Sequence, residues 1–208
     1  MEIPTALWSF ALVVGLLTLT PGLDTALILR TAALGARARA WGVVAGIGSG
    51  TMIWGTLSSL GISALLTASH LAYETLRWAG VAYLVWMGVQ MLRSAGGPAA
   101  PEDDGDLGTG GFWAGWQRGT LTNLLNPKVG VFYVAVLPQF IPAGVPHLPM
   151  GVALTSIHVA EGLLWSAVLI AFARALRTWL RRPSARRVLD RVAGTVIVAF
   201  GARLAVAD

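Results

Sequence analysis

Long apolar stretches with few charges limit what this chain can fold into more than any other feature. Of its 208 residues, 55% are hydrophobic and only 12% are charged, whereas soluble domains carry about 25% charged residues. A helix of about 20 apolar residues crosses the hydrocarbon core of a bilayer. The chain has too few charges to cover so apolar a core in water. The sequence therefore predicts an all-α integral membrane protein.

Six stretches of this kind lie along the chain. They cover approximately residues 6–34, 40–66, 71–92, 112–138, 150–173 and 188–206. Residues 94–111 (SAGGPAAPEDDGDLGTGG) are acidic and lack a hydrophobic period, which predicts a solvated linker. The predicted units are a three-helix repeat over 1–93, this linker, and a second three-helix repeat over 112–208. Because three spans are an odd number, the second repeat enters the membrane from the opposite side and has inverted topology.

The distribution of basic residues predicts the orientation of the spans. Arg37 and Arg39 follow the first span, seven arginines lie between residues 174 and 191, and the stretch 138–150 (PQFIPAGVPHLPM) has no lysine or arginine. Cytoplasmic loops carry such an excess of basic residues, so both termini are expected outside. The net charge of +5 comes from basic residues in these loops, where they anchor the loops on the cytoplasmic side. We therefore expect no nucleic-acid partner.

Two prolines interrupt apolar stretches at corresponding positions of the two predicted repeats. Pro21 lies in LTLTPGLDTALIL and Pro127 follows Asn126. Proline breaks a helix in progress but is favoured at the first position of a new one. Thr20 and Asn126, which precede the prolines, are predicted N-caps of two half-helices. Their N-termini carry partial positive charge, and we expect them to meet near mid-membrane and bind an anionic group such as a carboxylate.

Charged side chains accompany both breaks. Asp24 follows the first proline and Lys128 follows the second. A carboxylate and an ammonium at matching positions suit a zwitterionic substrate. The alternatives are that each proline only kinks its helix, or that the two charges only pair with each other. The predicted substrate-binding residues are Thr20, Pro21, Gly22, Asp24, Asn126, Pro127 and Lys128.

Glu161 lies about midway along the fifth span, in VAEGLLWSA. A carboxylate in the hydrocarbon core is costly unless it is protonated, paired or hydrated, so its default interpretation is functional. His158 is nearly one helical turn earlier on the same face and is a candidate to share the proton, with packing as the alternative. Asp24, Glu161 and His158 are the proton-coupling candidates.

The sequence resembles the lysine exporter (LysE/RhtB) family at these positions. Pro21-Gly22-Leu23-Asp24 resembles the family's Pro-Gly-Pro-(Asp/Asn) signature, with Leu23 in place of the second proline. NLLNPKVGVFYVAVLPQFI, which contains Asn126-Pro127-Lys128, resembles its second signature. AYLVWMGVQMLRS and VAFGARLAVA resemble its third and sixth segments. The resemblance implies an amino-acid exporter of the bacterial cytoplasmic membrane, driven by proton exchange.

We therefore expect a secondary active exporter of amino acids or closely related small zwitterionic metabolites, with protons and membrane lipid as its other partners. The chain has no cysteine and its three histidines are scattered, so no disulfide, metal site or cofactor is expected. Alternatives are a membrane-embedded enzyme of the lipid-phosphate hydrolase type, which lacks a candidate nucleophile here, an inorganic-ion exporter of the same superfamily, and a structural membrane protein. Whether the chain forms a homo-oligomer stays open.

Overall fold

The structure, a computed structural model, describes residues 2–33, 35–68, 70–93, 110–173, 175 and 182–206. Regular secondary structure in these ranges is entirely helical, which confirms the all-α prediction. The helices are α1 Ile3–Leu19, α2 Leu23–Ala33, α3 Arg37–Ala68, α4 His70–Arg93, α5 Phe112–Leu124, α6 Pro127–Val131, α7 His147–Ala171 and α8 Pro183–Val206. Apart from Gly110 and Gly111, the predicted linker lies outside the described residues.

Helix length and apolarity identify fewer spans than the sequence predicted. Within the described ranges, residues 37–61 of α3 and the whole of α7 are long and apolar enough to cross a bilayer. The bent pair α1–α2 makes a third span when its two helices are taken together. The six-span arrangement therefore stays a prediction.

The first predicted break is present between α1 and α2, whose axes differ by 54°. Proline has no N–H to continue the backbone ladder of α1, and the chain leaves the helix at Thr20, whose ψ is 117°. The Ala26 amide then donates to the Gly22 carbonyl, so the new helix begins at Leu23 and not at Pro21. The interruption therefore spans both Pro21 and Gly22.

The second break separates α5 from α6, and the helix beyond it is irregular. Asn126 has extended backbone angles (φ −76°, ψ 108°), and α6 starts directly after it at Pro127. The chain then passes through a π-helical turn at Phe132–Val136 and a 3₁₀ turn at Leu137–Phe140. π-helical turns inside helices are often found at functional sites, because the extra residue redirects side chains.

Glycines bring α3 and α5 into backbone contact. A Cβ at Gly42 or Gly46 would overlap the carbonyl oxygen of Phe112 or Trp116, and one at Gly119 would overlap the carbonyl oxygen of Val43. The Thr120 hydroxyl donates to the Gly46 carbonyl oxygen at 3.1 Å. Small residues every fourth position are the usual means of close helix packing in lipid. These contacts place Asn123, near the end of α5, against Gly50 of α3.

Helix α7 joins the two apolar clusters of the core. One cluster packs α1 and the 129–140 segment against the start of α7, with Phe10, Phe132 and Phe140 in ring contact. The other packs α2 and α3 against the end of α7, around Leu169. The two helix breaks lie between these clusters, so the core holds them around a common space.

Candidate substrate site

A cavity of about 90 Å³ lies where the two broken segments meet. A water molecule needs about 10–15 Å³ of such space, so the cavity holds several waters or a small polar group. Its polar lining residues are Thr18, Thr20, Asp24, Thr25, Thr51, Asn123, Asn126, Lys128, His158, Trp165 and Ser166. The cavity, called the polar cavity below, therefore gathers polar side chains from both breaks within an apolar core.

Asp24 is in the first turn of α2, and one of its oxygens is held by α5. Asn123 Nδ2 donates to Asp24 Oδ2 at 2.9 Å. Asp24 Oδ1 is buried without a hydrogen-bond partner among the described residues. A buried carboxylate oxygen without a donor is unusual, and at a cavity wall it indicates a place for a ligand donor or a water.

Lys128 is the only lysine of the chain, and its ammonium closes the end of α1. Its Nζ donates to the carbonyl oxygens of Leu17 at 3.1 Å and Thr20 at 3.4 Å. In an unbroken helix the Leu17 carbonyl would accept from residue 21, but Pro21 has no N–H. The cation thus replaces the missing donor and meets the negative end of the α1 dipole. Neither bond joins Lys128 to Asp24, and among the described residues one of the three ammonium donors has no acceptor.

The two predicted N-caps have different outcomes. The Asn126 side chain accepts from the Lys128 amide at 3.1 Å, which confirms the N-cap of α6. The prediction for Thr20 is wrong, because its hydroxyl donates backwards to the Leu16 carbonyl at 2.7 Å and the residue caps the C-terminus of α1. Gly22 separates Thr20 from α2, so the hydroxyl does not reach the first turn.

The two half-helix N-termini also differ in their free donors. Asn126 accepts three amides of α6, two through its backbone oxygen and one through its side chain. At α2 the first intrahelical bond comes from Ala26, so the amides of residues 23–25 have no intrahelical acceptor. The donors available to an anion therefore belong to α2 and not equally to both helices.

His158 lines the cavity from α7 and is paired with the π-helical turn. The Tyr133 hydroxyl and His158 Nδ1 are 2.8 Å apart, and the rings stack at 5.8 Å between centroids. Tyr133 is fully buried. Sequence reasoning missed this tyrosine because an ordinary α-helix through residues 132–136 would aim different side chains at α7.

Glu161 lies outside the cavity, at the contact between α7 and α1. A Cβ added to Gly15 would be 3.2 Å from Glu161 Oε2, so the carboxylate occupies the space that this glycine leaves. Oε2 is buried and has no hydrogen-bond partner among the described residues. The site of this acid is therefore separate from the carboxylate of Asp24.

The structure brings six of the nine predicted site residues to one cavity: Thr20, Gly22, Asp24, Asn126, Lys128 and His158. Pro21 and Glu161 are not among its lining residues, and the side chain of Pro127 lies outside the described ones. Sequence reasoning missed Asn123 and Trp165. The repeated amide in TNLLNPK was the available signal for Asn123, since it lies one turn before Asn126.

Known proteins that are similar to this chain belong to a family of membrane transporters. A family model named LysE type translocator matches residues 6–208. The chain belongs to the LysE type translocator family. The resemblance seen in the sequence is thereby confirmed, and the chain is a membrane transporter and not an enzyme.

Three relatives in the LysE family align with this chain over about nine tenths or more of both sequences. A homoserine/homoserine lactone efflux protein of Salmonella typhimurium is 31% identical over 95% of this chain and 96% of its own. The threonine efflux protein of Escherichia coli strain K12 is 28% identical over 89% of this chain and 90% of its own. An uncharacterized membrane protein of Bacillus subtilis, YrhP, is 24% identical over 94% and 96%. No solved structure matches the chain significantly. Membership of this family supports an exporter function.

Proposed function

We propose that this protein exports small amino acids in exchange for protons, with the substrate bound in the cavity between the two helix breaks. The observation that carries the proposal is the meeting of Asp24 and Lys128, from separate breaks, at one polar cavity. The names of the threonine and homoserine efflux relatives support a substrate of this size.

The substrate's two charges would bind at different ends of the cavity. The carboxylate would accept from the third donor of Lys128 and from the open amides of α2. The amine would donate to Asp24 Oδ1, whose partner oxygen Asn123 holds in place. Asn123 is thus a positioning residue, since it acts through Asp24.

Proton exchange would follow from competition and from a second acid. A proton on Asp24 removes the acceptor for the amine, so one carboxylate cannot serve both at once. Glu161, packed against α1, would take up a proton when α7 and α1 are in the arrangement seen here. His158, whose ring is paired with Tyr133, lies on the cavity wall and on the same helix as Glu161.

The proposal also includes the membrane arrangement predicted from the sequence. Six spans would form two inverted repeats in a bacterial cytoplasmic membrane, with both termini outside. Two helix contacts support this arrangement. The last helices of the two predicted repeats, α4 and α8, pack against each other, and so do the middle helices, α3 and α7. Helices close to a two-fold axis between the repeats would form such pairs.

Reconstituted protein tests the substrate site through exchange of labelled threonine or homoserine across a proteoliposome membrane. Asp24→Asn and Lys128→Met should each reduce exchange about tenfold or more, because each removes a charged hydrogen-bond partner of the substrate. Glu2→Gln and Arg187→Met remove equivalent charges from exposed side chains and should leave exchange unchanged. Chromatographic profile and melting temperature check that each variant is folded. Wild-type exchange by folded Asp24→Asn and Lys128→Met would overturn the assignment.

A further inference from the structure

A second, apolar space adjoins the polar cavity. It is a groove of about 700 Å³ between α3 and α7, bounded at one end by Phe112 at the start of α5. Five residues line both spaces: Ile47, Thr51, His158, Gly162 and Ser166. The two spaces are therefore neighbours with a common wall, and the function proposed above accounts for only one of them.

The common wall carries no side chain at Gly162, which lines both spaces. A Cβ added at this position would have no heavy atom within 4 Å. Beyond it the groove wall is apolar, with Met52 of α3 and Val159 of α7 among its members. Gly48 also lines the groove, and a Cβ added there would lie 3.5 Å from Val159 Cγ1, so a larger side chain at Gly48 would fill this part of the groove. An apolar group can thus extend past Gly162 from the polar cavity into the groove.

The volumes of the cavity and the groove distinguish amino acids with short side chains from those with long ones. The polar cavity, at about 90 Å³, has room for the charged main-chain groups and a short side chain. A longer side chain exceeds it and must continue into an adjoining space. Apolar walls favour aliphatic carbon over a charged or amide end group, because burying polar groups without partners is costly.

We infer that the groove between α3 and α7 is a side-chain subsite, which lets this transporter accept amino acids with extended apolar side chains such as leucine and methionine. This inference rests on the proposed function, because the polar cavity has to hold the charged end of the same molecule. Gly162 and Gly48 are the specificity-determining residues: the first places no side chain in the wall that the two spaces share, and the second leaves unfilled a part of the groove that a larger side chain would occupy.

Exchange of labelled leucine, methionine and threonine in proteoliposomes tests the subsite. Gly48→Leu fills the groove without entering the polar cavity and should lower leucine and methionine exchange roughly tenfold or more, with threonine exchange unchanged within about twofold. Gly162→Ala narrows the passage and should lower leucine and methionine exchange in the same direction by less. The matched control is Gly61→Leu, on the same helix as Gly48, where the added side chain also meets open space.

The outcomes distinguish the subsite from the proposed function. Wild-type exchange of threonine without leucine or methionine would overturn the subsite and leave the proposed function intact. Equal exchange of leucine by the wild type and Gly48→Leu would also overturn it, because filling the groove would then not affect the side chain that it is proposed to hold. Loss of leucine and threonine together in folded Gly48→Leu would overturn it as well, because the groove would then not discriminate by side chain. Absence of all amino-acid exchange in the wild type would instead defeat the proposed function.

Discussion

At the residue scale, the site is built from polar atoms that lack their usual hydrogen-bond partners, some of which are paired with distant residues and some left open. Pro21 removes a backbone donor, and Lys128 supplies one from a distant part of the chain. Asp24 has one oxygen held by Asn123 and one left open. The sequence identified both charged residues from their place beside a proline. It did not predict that the ammonium would close a helix end, because that contact joins residues more than 100 positions apart.

Glu161 allows proton coupling to be tested apart from substrate binding, since the carboxylate lies outside the cavity. Glu161→Gln keeps the side chain's shape against Gly15 but removes the ionisable group. We expect net amino-acid efflux driven by a pH gradient to fall to the rate measured without a gradient. Amino-acid exchange, which needs no net proton movement, should continue near the wild-type rate. Glu161→Asp, which retains the acid, is the matched control and should keep part of the gradient-driven efflux. Gradient-driven efflux by Glu161→Gln at the wild-type rate would exclude this role.

At the element scale, proline and glycine determine where helices stop and how closely they pack. The sequence predicted both breaks correctly because proline acts locally, through its own ring and missing N–H. It placed the start of α2 two residues early, since the backbone of Gly22 and not that of Thr20 accepts the first helical bond. The close packing of the α3 glycines against α5 could be recognised only in three dimensions.

Two alanine substitutions on α3 should change stability in opposite directions. Gly46→Ala would force a methyl group into the Trp116 carbonyl and separate α3 from α5, at a cost of about 1–3 kcal/mol. This corresponds to a melting temperature lower by about 2–10 °C for a chain of this size. Gly61→Ala meets open space and should raise stability slightly, because alanine loses less backbone entropy than glycine in a helix. Thermal unfolding in detergent measures both, and equal melting temperatures would contradict the packing described here.

At the scale of the whole molecule, the order of helices along the chain could be predicted but the way they surround a cavity could not. The lengths of the apolar stretches and the positions of the prolines can be read directly from the sequence. The juxtaposition of α2, α6 and α7 depends on which face each helix turns inward, and nearly uniform apolar helices give little indication of that face. For this reason His158 was expected beside Glu161, whereas its ring is paired with Tyr133.

The absence of cysteine makes the predicted orientation directly testable. Single cysteines introduced at Ala143 and Ser184, both exposed, would report the two sides of the membrane. We expect a membrane-impermeant thiol reagent added to intact cells to label Ala143→Cys at once. Ser184→Cys should react only after the cells are made permeable, because it lies beside the arginine-rich stretch. The reverse labelling pattern would invert the proposed topology.

The glycine contacts between α3 and α5 have a consequence for motion. Repeat-built transporters are commonly pictured as two halves that move against each other. Here α3 comes from the first predicted repeat and α5 from the second, yet their backbones touch at glycines of both helices. Backbones in direct contact cannot slide past each other without breaking this packing. We therefore expect α3 and α5 to move as one rigid unit, so that the protein opens along a boundary other than the one between its two predicted repeats.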